Sequence, residues 1–286
     1  MERGPGPDRP AQVERWSGGA HEPASDVVAA EEPLQIVLDG ESFAVVMRTP
    51  GHDFELVLGL LFAEGLIADL ADVAGAAVAA SGIPEGPSTM PLSALPEAEN
   101  LVDLRLARPH EAAVPVGWQR NLVASSACGI CGAAALDALR ADLDPLPAGP
   151  RFGWRALVHV PVALRAAQAT FELTGGLHAA ALFTPEGELI AVREDVGRHN
   201  AVDKLVGAAL LAGELPLHDR GHMVSGRTSF ELAQKAVAAG IPLLAAVSAP
   251  SSLAVHVAHT FGLTLVGFLR GDHFNVYAGG ERIAEA

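Results

Sequence analysis

The sequence predicts an α/β protein in which helices cover both faces of a mostly parallel sheet, giving three αβα layers beside a small N-terminal subdomain. Three observations lead to this prediction. Helical and extended patterns alternate with short connections from about residue 178 onward. Half of the 286 residues are hydrophobic, enough for a large buried core. A stretch rich in Gly, Pro and Ser at 81–96 and a Pro/Gly stretch at 144–153 separate these patterns from the N-terminal part.

Composition divides the chain into three parts. Residues 1–30 carry Pro, Gly and charge without apolar periodicity, so we expect a disordered tail there. Residues 31–118 are expected to form a small α+β subdomain. Residues 119–286 are expected to form the α/β domain, which begins with a loop that contains both cysteines of the chain.

The predicted subdomain begins with a β-hairpin. Strands at 34–38 and 42–47 flank Asp39-Gly40, a dipeptide typical of tight hairpin turns. The apolar pattern after Thr49-Pro50 predicts a helix over 53–67. Another strand is expected at 100–106, after the loop at 81–96.

The α/β domain is predicted from the order of its later segments. A hairpin around Pro185-Glu186-Gly187 is followed by helices and strands in alternation, which favours parallel strands joined by helices. Its helices are expected at 161–173, 198–212, 228–239 and 251–261, and its strands at 178–183, 189–196, 222–225, 242–247 and 263–269.

The charge balance limits the possible partners. A net charge of -15 and an isoelectric point near 5.1 argue against nucleic-acid binding as the main task. No apolar stretch approaches the roughly 20 residues that span a bilayer, and the first 30 residues lack an export signal pattern. We therefore expect a cytoplasmic protein without a membrane partner.

The two cysteines, Cys128 and Cys131, lie in a C-G-I-C-G loop before a predicted helix at 133–143. Free N–H groups and the positive end of a helix stabilise a thiolate, so a nucleophilic sulfur is expected there. Gly129 and Gly132 leave space for the sulfur of another protein to approach. The arrangement favours sulfur carriage as a persulfide.

Other chemistry remains compatible with C-x-x-C spacing. A zinc site would need two more ligands from distant residues such as His178 or His199. A dithiol redox pair normally has aromatic and proline neighbours, which this loop lacks. The cysteines could also be two small buried residues, although the flanking glycines would then have no explanation.

Two strand ends in the α/β domain carry polar residues. Glu194-Asp195 precedes a glycine and a helix that opens with Arg198-His199-Asn200, an arrangement found at ligand clefts of open sheets. Ser225-Gly226-Arg227-Thr228-Ser229 repeats this pattern and could bind phosphate through free N–H groups and Arg227. Ordinary helix capping explains either segment equally well.

A third candidate segment follows the last predicted parallel strand. Arg270 next to Gly271 would let backbone and guanidinium approach an anion together. Phe268 could stack on a base, although a phenylalanine in this pattern is more often part of the core.

Six motifs in order carry a family resemblance from about residue 30 to the C-terminus. They read T-P-G-H-D-F-E-L at 49, C-G-I-C-G at 128, F-E-L-T-G-G-L-H-A-A at 171, E-D-V-G-R-H-N-A-V-D-K at 194, S-G-R-T-S-F-E-L at 225 and G-F-L-R-G-D-H-F-N-V-Y at 267. Together they closely resemble the formate dehydrogenase accessory sulfurtransferase family (FdhD/NarQ-like). Such a protein is expected to have a cytidine-deaminase-like fold.

The resemblance implies a function and a set of site residues. It implies a sulfurtransferase that takes sulfur from a cysteine desulfurase and delivers it to the molybdenum (or tungsten) bis(molybdopterin guanine dinucleotide) cofactor of formate dehydrogenase, acting as a homodimer. Cys128 would carry the persulfide, with Cys131 assisting. The cofactor-binding turn would comprise Phe268, Leu269, Arg270, Gly271, Asp272 and His273, and the strand-end residues Ser225, Gly226 and Arg227 are candidate phosphate ligands.

Two other functions were weighed against sulfur transfer. A cofactor chaperone without catalytic cysteines would bind and deliver the same nucleotide-containing cofactor. Zinc deaminases need an H-x-E motif, and the nearest match, His178-Ala179-Ala180, has alanine in place of the glutamate. We therefore expect no deaminase activity and no bound metal.

Overall fold

The computed structural model describes residues 6–79, 100–107 and 143–285. Cys128, Cys131 and the helix expected at 133–143 lie outside these ranges, as do the loop at 81–96 and the first residues of the predicted α/β domain. No helix among the described residues is long and apolar enough to span a bilayer.

The expected disordered tail is wrong for residues 8–29, which form a regular hairpin. Strand β1 (Asp8–Ser17) pairs antiparallel with β2 (Ala20–Ala29) over ten residue pairs. The turn is Gly18-Gly19, and both residues have positive φ angles, 60° and 85°. Glycine adopts this conformation without strain, and paired residues of this kind match the twist of the strands. Gly18-Gly19 was a local signal for a hairpin, and the polar composition of residues 1–30 concealed it.

The N-terminal subdomain contains the predicted hairpin, helix and later strand, and also strand β5, which was not predicted. Its sheet has the order β4-β3-β6-β5, with β3 and β4 joined by Asp39-Gly40 at φ 52° and 84°. Helix α1 (Asp53–Ala63) packs on one face and ends four residues earlier than expected, before Gly65. The strands are β3 (Glu32–Leu38), β4 (Glu41–Arg48), β5 (Val73–Ala79) and β6 (Leu101–Leu106).

The main sheet has six strands in the order β13-β12-β11-β10-β8-β9. The central neighbours β10, β11 and β12 are parallel, but the pairings β8–β9, β8–β10 and β12–β13 are antiparallel. The prediction of a mostly parallel sheet is therefore wrong at both sides. Short turns join β8 to β9 and β12 to β13, and strands joined in this way are antiparallel. Strand β8 also runs against β10. The strands are β8 (His178–Phe183), β9 (Leu189–Asp195), β10 (Gly221–Val224), β11 (Leu243–Ala246), β12 (Thr264–Arg270) and β13 (His273–Ala278).

Helices cover both faces of this sheet, as the three-layer prediction required. Alternate strand residues face opposite ways, so one core lies against α4, α5 and α6 and the other against α2. The helices are α2 (Trp154–Ala167), α3 (Ala169–Thr174), α4 (Arg198–Leu211), α5 (Phe230–Ala238) and α6 (Ser252–Phe261), and a small parallel pair joins β7 (Phe152–Gly153) to β14 (Ile283–Ala284).

The helix expected at 161–173 is wrong in its start and in its continuity. Pro161 lies inside α2, which begins at Trp154, and the chain breaks at Gln168 before α3. Proline removes one helical hydrogen bond. However, Leu157 and Val160 before it and Leu164 after it lie on one buried face, and their burial outweighs that loss.

Helices α1 and α4 join the subdomain to the main domain at very short distance. A Cβ atom on Gly59 would lie 1.9 Å from the Asp203 carbonyl oxygen, and one on Gly207 would lie 1.8 Å from that of Glu55. Only glycine allows this approach. Beside this contact, an Arg193 amino group donates to a carboxylate oxygen of Glu55 over 2.7 Å.

Candidate functional site

Four strands of the main sheet end at one edge. Strands β9, β10, β11 and β12 run in the same direction, and β8, which lies between β9 and β10 in the sheet, runs the opposite way. The segments after Asp195, Val224, Ala246 and Arg270 therefore lie at the same end of the sheet. We call this the carboxyl edge. It brings together all three candidate segments that the sequence indicated in the α/β domain, and ligands of open α/β sheets bind at such edges.

Gly226 lies between His178 and Arg198 at this edge. A Cβ atom there would lie 3.5 Å from the His178 ring and 3.9 Å from Cδ of Arg198. Burial lowers the pKa of His178, and the charges of Arg198 and His199 lower it further. Nε of Arg198 is buried and has no hydrogen-bond partner among the described residues. A neutral imidazole and an incompletely paired guanidinium therefore flank the glycine.

The Ser225–Ser229 segment precedes helix α5, which begins at Phe230, two residues later than predicted. The Ser225 hydroxyl accepts a hydrogen bond from the Ala179 N–H, so this oxygen supports the sheet. Thr228 is only 1% exposed, and its hydroxyl has no partner among the described residues. Arg227 is exposed. The segment thus has two groups that a ligand could contact, the buried Thr228 hydroxyl and the exposed Arg227 guanidinium.

An ion-pair ladder joins the starts of α4 and α5. Nε2 of His199 lies 2.9 Å from a carboxylate oxygen of Glu231 and 3.2 Å from the Ser229 hydroxyl. This bond lowers the pKa of Glu231. One turn further into both helices, Lys235 donates to the buried Asp203 carboxylate. The ladder fixes the two helix starts relative to each other.

The irregular last part of β12, between Gly267 and Arg270, contains a strained aromatic residue. Phe268 has a φ of 55°, in the left-handed region that bulky residues avoid, and its N–H donates to the Ser248 carbonyl. The guanidinium of Arg270 lies 5.9 Å from the Phe268 ring centre, and Arg270 is exposed. Backbone strain of this kind concentrates at functional positions. It supports a role for the half-buried ring beyond core packing.

The other residues of the predicted turn divide into buried and exposed groups. Leu269 is fully buried in the core beside α2, so only its backbone can reach a ligand. Gly271 has a φ of 60° and closes the turn. The exposed side chains of Asp272 and His273 lie 3.4 Å apart.

The two carboxylates at the end of β9 serve the fold. Both oxygens of Glu194 accept backbone N–H groups at the start of α3, from Phe171 at 2.8 Å and Thr170 at 3.0 Å. Asp195 is completely buried and accepts hydrogen bonds from the Thr49, Gly197, Asn200 and Lys204 nitrogens over 3.1, 2.8, 2.9 and 2.7 Å. Capping and burial therefore explain this pair.

Thr49 and Lys204 also belong to this arrangement, although no prediction from the sequence included them. Lys204 donates to the Thr49 carbonyl over 2.8 Å as well as to Asp195, and it is 1% exposed. We call Thr49, Asp195 and Lys204 the clamp. Their common presence in the T-P-G and E-D-V-G-R-H-N-A-V-D-K motifs was the available signal.

Metal binding has no support among the described residues, where no cluster of three or more His, Cys, Asp or Glu side chains occurs. The cysteine loop lies outside the described ranges, so its distance from the carboxyl edge is not part of this geometry.

Comparison with known proteins gives consistent matches along the chain. A model of the FdhD/NarQ family matches residues 29–284. Proteins named sulfur carrier protein FdhD from Streptomyces coelicolor and Streptomyces avermitilis are 50% and 51% identical over 280 residues, covering 96% of this chain and 94% of each relative. One from Mycobacterium tuberculosis is 48% identical over 260 residues, 90% of this chain and 92% of its own.

A solved structure has the same fold. It is described as a formate dehydrogenase accessory protein from Desulfotalea psychrophila, and it superposes with a TM-score of 0.72 over 97% of this chain and 99% of its own. At 23% identity, the likeness concerns the fold alone.

Proposed function

The chain belongs to the FdhD/NarQ family, and on that premise we propose that it is a sulfur carrier for the maturation of formate dehydrogenase. The single observation that carries this proposal beyond family membership is the carboxyl edge. There an otherwise acidic chain gathers Arg198, Arg227 and Arg270 beside a strained aromatic ring. Such a surface suits a ligand that has both phosphates and a planar base.

We propose that the ligand is the molybdenum bis(molybdopterin guanine dinucleotide) cofactor, bound transiently as a substrate. The Phe268 ring and the Arg270 guanidinium would hold a guanine, and Arg198 and Arg227 would bind phosphate oxygens. The buried Thr228 hydroxyl, without a partner among the described residues, supports a polar ligand at this place. The fit therefore depends on donors and an aromatic face that the fold leaves available.

Sulfur transfer would begin at the cysteine loop. The Cys128 thiolate attacks the outer sulfur of a cysteine desulfurase persulfide, a new S–S bond forms, and the donor cysteine leaves as a thiolate. The outer sulfur would then pass to the cofactor, which is the substrate of this step, and the Cys128 thiolate would be released. Reduction of that sulfur to sulfide needs two electrons, which the cofactor would supply. Cys131 is proposed to assist this exchange.

Three further proposals follow from the same family membership. The chain acts as a sulfurtransferase in the cytoplasm, it works as a homodimer, and its main domain has a cytidine-deaminase-like arrangement. The mixed sheet with helices on both faces supports the last proposal.

The decisive experiment maps the sulfur. Purified protein is incubated anaerobically with a cysteine desulfurase and cysteine, and peptides are then analysed by mass spectrometry. We expect a gain of one sulfur on the Cys128 peptide, reversed by reductant and absent in Cys128→Ala. If Cys128→Ala still supports dehydrogenase activity in cells, the sulfur-carrier function fails and a cofactor chaperone takes its place.

A further inference from the structure

Thr49 of the N-terminal subdomain contacts the carboxyl edge of the main domain. It follows strand β4 and is 2% exposed. Its hydroxyl accepts the Val196 N–H over 3.1 Å and donates to the Ala30 carbonyl over 3.0 Å. Its own N–H donates to Asp195 over 3.1 Å. A single small side chain therefore connects the two parts of the molecule at the edge that carries the candidate site.

The residues held in this way form the turn before helix α4. Val196 N–H is bound by Thr49, and Gly197 N–H is bound by the Asp195 carboxylate. Arg198 is the next residue and the first of the helix. Both backbone donors that precede Arg198 are thus fixed, one of them by a residue 147 positions away in the sequence.

We propose that Thr49 is a positioning residue for the candidate site: by holding Val196 it directs Arg198 towards the Gly226–Thr228 segment, where anionic ligand groups bind. The identity of the ligand rests on the proposed function, but the positioning itself does not. Thr49 acts through the backbone and does not touch the ligand. The N-terminal subdomain is in this way a part of the site and not only an attachment to it.

The test compares three variants by calorimetric titration with guanosine diphosphate. Thr49→Val keeps the shape but removes the acceptor for Val196, whereas Thr49→Ser keeps the hydroxyl. Thr264→Val is the matched control, because Thr264 is also buried and its hydroxyl donates to the Gly279 carbonyl over 2.8 Å, at the opposite end of β12.

We expect Thr49→Val to weaken guanosine diphosphate binding about tenfold, as one misaligned charged contact would. Binding by Thr49→Ser should stay within about twofold of wild type, and Thr264→Val should lower thermal stability without changing affinity. Equal affinity of Thr49→Val and wild type, measured well below their melting temperatures, overturns the proposal. So does an equal loss of affinity in Thr264→Val.

Amide hydrogen exchange separates this proposal from the proposed function. Thr49→Val should accelerate exchange at Val196 and Gly197, whereas Thr264→Val should not. If wild type binds no guanosine diphosphate, the proposed cofactor site fails, and the exchange result alone then decides the role of Thr49. Unchanged exchange in Thr49→Val overturns that role whatever the ligand.

Discussion

The clamp at the end of β9 and the segments of β10 to β12 differ in how their buried polar groups are paired. On the β9 side, the Asp195 carboxylate accepts four hydrogen bonds, and Lys204 and Thr49 complete the clamp. On the β10 to β12 side, the Thr228 hydroxyl and the His222 ring have no partner among the described residues, and Phe268 is strained. The clamp therefore stabilises the fold, while the other side keeps the Thr228 hydroxyl and the strain at Phe268 for a ligand to use. The His222 ring is 0% exposed inside β10 and is out of reach of a ligand.

The largest expected effect comes from breaking the clamp. Lys204→Met leaves the buried Asp195 charge without its cation, so the free energy of unfolding should fall by about 3–5 kcal/mol. Urea unfolding measures this loss. Arg165→Met is the control, because Arg165 pairs with Glu172 on the surface and its loss should cost less than about 1 kcal/mol. Similar losses in both variants would mean that the clamp contributes no more to stability than a surface ion pair.

The second prediction concerns pH and the unpartnered side. Burial lowers the pKa of His222 to about 4 from 6.5, so the unfolded chain binds a proton first as the pH falls. Stability that is present above pH 6.5 should be lost between pH 6.5 and 4, by about 3 kcal/mol. His222→Leu should remove this part of the pH dependence and be tolerated at pH 7.

Urea unfolding of wild type and His222→Leu across pH 4 to 7 measures that difference. Met223→Leu, the next residue of β10 and also fully buried, controls for disturbing the strand. If His222→Leu loses stability in parallel with wild type down to pH 4, the ring is not a buried neutral group. A large loss at pH 7 would show that His222 has a partner as the clamp residues do.

The smallest effect on stability is expected at Phe268. Phe268→Gly and Phe268→Ala both remove the ring, but glycine tolerates the φ of 55° and alanine does not. The glycine variant should be more stable by about 1 kcal/mol. Both should bind guanosine diphosphate about tenfold more weakly, if the ring stacks on the base. Thermal unfolding and titration calorimetry measure the two quantities.

Weaker binding of one Phe268 variant only would mean that the backbone shape matters and the ring does not. Unchanged binding of both would remove Phe268 from the cofactor turn. In that case the strain would have no functional explanation, and the contrast between the two sides would rest on Thr228 and His222 alone.

Local patterns predicted most elements of the main domain. The turn residues and apolar runs placed the β8–β9 hairpin correctly and helix α4 at its observed start, Arg198. Family membership was predicted from six motifs, and the family model and the relatives confirmed it. The errors occurred where one local signal concealed another. Polar composition concealed the Gly18-Gly19 hairpin. Pro161 was interpreted as a helix start, although buried residues on both sides of it belong to the same helix.

The sequence by itself determined which segments carry polar residues after strands, because turn chemistry and periodicity act over a few neighbouring residues. It could not determine which of those residues are available to a ligand. Glu194 and Asp195 looked equivalent to Arg227 and Thr228 in sequence, yet the first pair is occupied by capping and burial while the Thr228 hydroxyl has no partner among the described residues. That distinction depends on partners such as Thr49, 146 residues away from Asp195, and only the tertiary structure brings such groups together.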